Sequence, residues 1–447
     1  MNIKEFEELI DEKKFTQIKS IYKEMEEYDI SVLLSDLSIE KLKQAFRLLP
    51  KDIAADVFSN FDSDLQQSLI TALTSKEATD IIEDMDSDDA ADLFDEMSAS
   101  VVSKMLAKVD KETRDTINTL LKYPKNSAGS LMSVEYIHLK KGLNIKQSIE
   151  RIRKQKDEFV SFDNCFVTDD KRKLLGTVAI KDLLINNPYT LIEDVMEECS
   201  HPIHTLMDQE EVVKIFQDYD YNTLPVVDSE GLLVGIITID DVMDIMEQEA
   251  SEDISKMAAI IPDNGETPYL RKSIWELYKS RMPWLLILMI SSLFTGTIIT
   301  SYESALASYV VLTSFIPMIM DTGGNAGSQA SVTIIRALSL DEIAFKDLVK
   351  VIWKEIRVAV CCGITLGICN FFRLILINNI SVKISLIVSG TLVITIFIAK
   401  IIGSLLPMTA AKLKLDPAVM ASPLITTIVD ASSLIIYFKI ACAALGI

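Results

Sequence analysis

The side chains best able to do chemistry in this 447-residue sequence are oxygen donors, and they concentrate in three places. Residues 83–96, EDMDSDDAADLFDE, carry eight carboxylates in fourteen positions, and residues 240–253 carry seven with no Lys or Arg among them. Like charges at i, i+4 on a helix repel by roughly 0.2–0.5 kcal/mol per pair. A solvated acidic face accounts for such a run; the competing reading is two faces that close on each other around hard divalent cations, which take oxygen ligands. The third place is apolar. Asp430 lies ten residues past Met420, about 15 Å along a helix and so near the middle of a bilayer core about 30 Å thick. In PMIMDTGGNAGSQ, Pro317 and the glycines Gly323, Gly324 and Gly327 are expected to break a span, while Asp321, Asn325 and Gln329 supply oxygen and amide groups. An ionisable group at mid-bilayer costs on the order of 3 kcal/mol and faces a cavity, a partner or a substrate. A hard cation that dehydrates reluctantly would need a path with few carboxylates and many amides or carbonyls, as this part supplies.

Composition separates these places into two halves. The chain has 44 Lys+Arg and 65 Asp+Glu, a net charge of −21, yet a mean hydropathy of +0.26. Residues 1–265 hold 29 basic and 55 acidic side chains, and residues 266–447 hold 15 and 10, so −26 stands against +5. A single soluble globule is excluded. So is a nucleic-acid-binding face, which needs clustered Lys and Arg. Six cysteines and three histidines show no paired spacing, which argues against a soft-metal site. There is no GxxxxGK, no HExxH and no nucleophile–His arrangement, so the chain is not expected to be an enzyme. The N-terminus has no basic-then-apolar signal region, which points to a cytosolic acidic half.

From Ser38 to Leu121 the sequence repeats every twelve residues, each block opening on Ser, Pro, Asp or Thr, which cap or start helices. Positions eight and twelve of each block are apolar and share one helical face. This predicts a superhelical stack of very short helices, with one continuous amphipathic helix as the alternative. Beyond Tyr123-Pro124, strand-like residues 159–169 and 174–180 precede a helix start at Lys181-Asp182. The order recurs in LPVVDSEGLLVGIITIDDVMDIM, and this strand–turn–strand–helix unit resembles tandem CBS domains. In that family a Thr/Ser-x-x-Asp at the strand-to-helix junction commonly contacts a nucleotide ribose. Here that implies Thr238 and Asp241, whereas the first copy has Ala179 with Asp182 kept.

Five apolar segments follow, at residues 284–300, 306–335, 356–377, 384–408 and 420–445, preceded by the amphipathic TPYLRKSIWELYKSRMP. With the N-terminus inside, eleven basic residues fall on the inner side and three on the outer, as the positive-inside rule requires. Lys400, in the fourth segment, either snorkels or pairs with a carboxylate.

Taken together, PMIMDTGGNAGSQ, LDPAVMASPLITTIVD and IDDVMDIMEQEASEDISKM, in this domain order, resemble the MgtE family of magnesium channels and transporters over residues 38–445. The resemblance implies a multidomain chain: an α-helical superhelical N-domain (1–122), α/β tandem CBS domains (123–188 and 189–252), an amphipathic connecting helix (253–283) and an all-α five-helix transmembrane domain (284–447). It implies a homodimer in the plasma membrane with cytoplasmic N-terminal domains, and a pore at the subunit interface. Asp430 then selects the ion, with Asn325, Gly324 and, nearer the inner end, Asp416. Cytosolic Mg²⁺ would close the pore through Asp86, Asp88, Asp89, Asp92, Asp220, Asp241, Asp244, Glu249, Glu252 and Asp253, with ATP as a regulatory ligand. The alternative is a membrane-anchored CBS nucleotide sensor without transport, which has no use for a mid-bilayer carboxylate.

Overall fold

The structure is a computed structural model and describes residues 3–154, 161, 163–262, 269–420 and 422–446. The chain divides into two compact units, Met1–Glu249 and Ala250–Ile447.

The first unit begins with ten short helices: α1 (Ile3–Asp11), α2 (Phe15–Tyr22), α3 (Glu27–Ser35), α4 (Ile39–Phe46), α5 (Ala54–Ser59), α6 (Ser63–Ala72), α7 (Ser75–Asp84), α8 (Ser87–Asp95), α9 (Ala99–Leu106) and α10 (Lys111–Leu120). The twelve-residue repeat is visible in their caps. Ser38, Asp62, Thr74, Asp86, Ser98 and Asp110 are the N-caps of α4 and α6 to α10, and Pro50 opens the turn leading to α5. Thr74 and Glu77 form a reciprocal capping box, which satisfies two N–H groups that a helix start leaves orphaned. Position eight of each block (Ala45, Val57, Leu69, Ile81, Leu93, Ile117) is buried in one continuous core, with Met105 packed at its edge. No helix of eight to ten residues is stable alone, so this shared stripe is what holds the stack.

Two βαββα modules follow. The first has β1 (His138–Lys140), α11 (Ile145–Lys154), β2 (Asn164–Thr168), β3 (Leu174–Ala179) and α12 (Ile180–Ile185). The second has β4 (Ile203–His204), α13 (Gln209–Tyr219), β5 (Thr223–Val227), β6 (Leu233–Thr238) and α14 (Ile239–Met257). In each, a short strand pairs parallel to the next, which forms an antiparallel hairpin with the third. The strand expected over residues 159–169 falls partly outside the described residues; its described part is β2. Ala91 of α8 and Leu120 of α10 share a core with Leu224, Val226, Ile237, Val242 and Ile245, which seats these helices on the second module.

In the second unit the stretch expected as one connecting helix (253–283) is divided. Its first residues end α14, and those from Ile274 open α15 (Ile274–Ser301), capped by Ser273 and Glu276 and continuous through Pro283. Residues 263–268 of that stretch lie outside the described set. Next come α16 (Glu303–Ser308), α17 (Ile316–Ser339), α18 (Leu348–Leu376), α19 (Val382–Lys412) and α20 (Ser422–Leu445). Among the described residues α15, α18, α19 and α20 are long and apolar enough to cross a membrane. At 24 residues, α17 is about 36 Å long, but it carries a polar face. The break expected at PMIMDTGGNAGSQ is absent. The helix runs unbroken through its glycines, Pro317 sits in its first turn where a missing N–H is harmless, and the irregular segment comes before it, at Val310–Phe315. The glycines serve close packing: a Cβ on Gly403 of α19 would stand 2.2 Å from the Gly327 carbonyl oxygen of α17.

Candidate functional site

Two oxygen-rich sites emerge, one in each unit. In the first, the seating of α8 against the second module brings Asp86, Asp88 and Asp89 to Asp241 and Asp244 of α14. Asp88 Oδ2 accepts from Ser133 at 2.6 Å, while its Oδ1 is sealed from solvent without a hydrogen-bond partner. Asp241 Oδ2 accepts from Thr238 at 2.6 Å. Asp86, Asp89 and Asp244 retain solvent-exposed surface, yet protein atoms crowd their carboxyl groups. Crowding first, then the charges of Asp89, Glu135, Asp56 and Asp241, pushes Asp86 up to about 7. Burial, followed by neighbouring carboxylates, raises Asp88, and burial also leads the raised Asp89, Asp241 and Asp244. Among the described residues no three His, Cys, Asp or Glu side chains converge at metal-ligand spacing, so this is a set of facing carboxylates rather than a closed coordination shell. Hard oxygens with an orphaned, sealed Asp88 Oδ1 nevertheless suit a hard divalent cation.

The remaining predicted ligands are distributed differently. Asp92 lies in the field of Lys125, which pairs with Asp95 at 2.5 Å. Asp220 ends α13 in the left-handed region, with φ 52°. Glu249 accepts from the Gln209 amide, and Asp253 has interactions of its own. Asp56, Glu135 and the Ser87 and Ser133 hydroxyls complete the first site, and sequence reasoning passed over them. Asp56 and Glu135 stand outside the acidic runs, so only the stacking of the repeats reveals them.

The nucleotide expectation meets a crowded junction. Thr238 is buried and its hydroxyl is spent on Asp241. A cleft of about 720 Å³ in the first unit is lined by Lys111, Tyr123, Tyr136 and Arg172 among others.

In the second unit α17 presents two faces. Ile319, Gly323, Gly324, Gly327, Ala330 and Ile334 are buried against α19 and α20, while Asp321, Asn325 and Gln329 are exposed at i, i+4 and i+8. Asp430 of α20 is half-buried where the two helices meet. Its Oδ1 lies 3.8 Å from where a Cβ on Gly324 would stand, an ordinary contact distance, and Thr426 Cγ2, at 3.1 Å, is the atom such a Cβ would crowd. Asp430 and Gly324 are thus neighbours, Asn325 follows Gly324 on the exposed face, and Asp416 lies elsewhere. Asp416 sits in the turn before α20, where Oδ1 accepts from the Ala418 N–H at 2.8 Å and Oδ2 pairs with Lys256 Nζ at 2.6 Å. The same ammonium reaches Glu252 at 2.7 Å. Burial alone would lower the Lys256 pKa, but the bonds to Asp416 and Glu252 outweigh it and hold it raised. Met257 beside it packs on Ile335 and Ala418.

Lys400 pairs with Glu355 of α18 at 3.6 Å, both side chains being nearly enclosed. A pairing of Lys400 with Asp430, which would have reduced Asp430 to a structural ion pair, is therefore not what the helices build.

Comparisons with known proteins agree with this layout. Residues 316–440 match the family described as a divalent cation transporter, MgtE; residues 5–126 match the MgtE intracellular N domain, and residues 192–248 a CBS domain. The chain is 30% identical over 444 residues to the magnesium transporter MgtE of Thermus thermophilus, covering 97% of this chain and 96% of that one. It is 30% identical over 437 residues to the magnesium transporter MgtE of Bacillus subtilis, covering 97% and 95%. Among solved structures, the cytosolic domain of the Mg²⁺ channel MgtE in complex with ATP superposes with a TM-score of 0.52 at 29% identity, over 54% of this chain and 98% of that one.

Proposed function

Since the chain belongs to the MgtE family of magnesium transporters, we propose that it conducts Mg²⁺ passively through a pore lined by Asp430, Gly324 and Asn325, and that cytosolic Mg²⁺ closes this pore. The observation that carries the pore is the exposed face of α17. A carboxylate and two amides on an otherwise apolar membrane helix are too costly to leave in lipid and call for water or protein across from them. A second copy of the chain, related by two-fold symmetry, supplies both, with the two α17 faces bounding a wet lumen in the plasma membrane. Amides and a single close carboxylate suit an ion that keeps its hydration shell.

The gate is the facing of α8 and α14. Separate carboxylates repel; divalent ions between them convert repulsion into a bridge, with Asp88 and Asp241 at its centre and Asp86, Asp89 and Asp244 around them. α14 carries that signal as far as Lys256, which links Glu252 to Asp416 beside the pore helix. Asp92, Asp220, Glu249 and Asp253 remain ligands of the wider acidic surface in this reading. ATP, which the neighbouring cytosolic domain holds, is a regulatory ligand of the CBS pair at Thr238 and Asp241. A ribose there exchanges the Thr238–Asp241 bond for its own, so nucleotide and Mg²⁺ draw on the same carboxylate.

Purified protein in liposomes is expected to take up Mg²⁺ down its gradient without ATP, and Asp430→Ala to reduce uptake by at least tenfold. Wild-type uptake by the Asp430→Ala protein would remove that residue from the path.

A further inference from the structure

We infer that Asp321 is a second ion-selecting carboxylate of the pore, acting with Asp430 so that each subunit presents two negative charges to the passing ion. The inference rests on the pore reading above, which uses Asp321 only as part of the polar face of α17, and gives that carboxylate a role of its own in selection.

Asp321 opens the exposed row of α17, one turn before Asn325 and two before Gln329. The opposite face of the same turn is buried through Ile319, Gly323 and Gly324, which fixes the rotation of the helix and therefore the side to which Asp321 belongs. Gly324, three residues further on, is where the Asp430 carboxylate approaches α17. Lys400 is held by Glu355, and the Arg373 guanidinium donates to Asn370 Oδ1 and Met318 Sδ. An exposed carboxylate at this depth is tolerable only beside water, and Asp321 shares its face with the amides that line the lumen.

The chemistry follows from charge. The attraction between a site and an ion scales with the product of their charges, so two carboxylates per subunit favour a divalent over a monovalent ion more strongly than one does. A hydrated Mg²⁺ between two copies then meets four carboxylates through its water shell. Asp321 acts as a specificity-determining residue, while Asp430, closer to the helix junction, remains essential for passage.

Liposomes containing the full chain, assayed for Mg²⁺ uptake against Mg²⁺ concentration with and without excess Na⁺, test this. Asp321→Asn, which keeps the shape of an exposed side chain, is expected to raise the half-saturating Mg²⁺ concentration about tenfold and to let Na⁺ compete, and Asp321→Glu to restore both. Unchanged half-saturation and unchanged Na⁺ rejection in Asp321→Asn would overturn the inference. Loss of uptake in Asp321→Asn that Asp321→Glu fails to rescue would also overturn it, since charge would then not be the property that matters. Asp430→Asn in parallel separates the two readings. If it conducts like wild type, the pore assignment itself falls; if it is inactive while Asp321→Asn is normal, only the present inference does.

Discussion

Around Asp88, the carboxylates of α8 and α14, with Asp56 and Glu135 beside them, crowd one partly dry contact, while at the α17–α20 junction the Asp430 carboxylate meets an open row made of Asp321 and the Asn325 and Gln329 amides. Both sites are built of hard oxygen, and both suit the same ion. They differ in how much water they leave it. Crowded, sealed carboxylates such as Asp88 hold an ion by direct charge and resist coming together without one. An exposed amide face lets an ion keep its water and leave. On the proposed function, sensing and conduction call for opposite densities of the same chemical group, in separate units of the chain. In the membrane unit Lys400 pairs with Glu355 and Lys256 with Asp416.

The largest expected effect breaks one of those pairs. Lys400→Met leaves Glu355 buried without a counter-charge, a loss of about 3–5 kcal/mol, read as a lowered melting temperature in detergent. The double variant Lys400→Met with Glu355→Leu is expected to recover most of it, because a well-packed apolar pair commonly replaces a buried ion pair without loss. A double variant no more stable than the single one would show that the pair does more than neutralise. Asp88→Asn sharpens the sensor side. Removing the central charge is expected to raise protease resistance of the soluble part in Mg²⁺-free buffer severalfold and to shrink the further increase that millimolar Mg²⁺ brings. An unchanged Mg²⁺ increment would take Asp88 out of the bridge.

Protons are expected to imitate the ion at the sensor alone. The compact arrangement raises Asp86 to about 7, and raises Asp88, Asp89, Asp241 and Asp244, from an ordinary value of 3.8. It therefore binds protons that separated carboxylates have already released. Without divalent ions its stability is full at low pH and falls as pH rises from about 4 through about 7. Protease protection in chelator should accordingly be higher at pH 5 than at pH 8, and a flat profile would contradict the crowding. The smallest effect belongs to Lys256→Met. Its partners Glu252 and Asp416 are about a third exposed, and such pairs contribute about 0–1 kcal/mol, so a few-fold rise in residual flux at high cytosolic Mg²⁺ is expected.

Much of this was legible in the sequence where a local rule decides the outcome. The cap every twelve residues located α4 to α10, and the hairpins β2–β3 and β5–β6 followed from their β-branched runs and turns. β1 and β4 are too short, at three and two residues, to leave a periodic signal, and they exist because a neighbouring strand completes them. The glycines of PMIMDTGGNAGSQ were read as breakers because intrinsic propensity disfavours them in helices; packing against α19 and α20 overrides that preference. Asp430 and Asn325 stand out in the sequence as polar groups inside apolar runs, and their pore role with Gly324 comes from the family resemblance. Glu355 was not, because it lies near the start of its span, where a carboxylate attracts no notice until Lys400 is placed beside it. Lys256 likewise reads as an ordinary helix-end cation until α14 is seen to end beside Asp416.

The central claim is that divalent occupancy of the α8–α14 carboxylates closes a pore at Asp430. Current through the full-length chain in excised patches, with the cytosolic face perfused alternately with chelator and millimolar Mg²⁺, tests it most directly. The account predicts openings in chelator that cease on adding Mg²⁺ and return on washing, with the Mg²⁺ block markedly weakened in Asp88→Asn. Openings that ignore cytosolic Mg²⁺, or a block that Asp88→Asn leaves untouched, would contradict it.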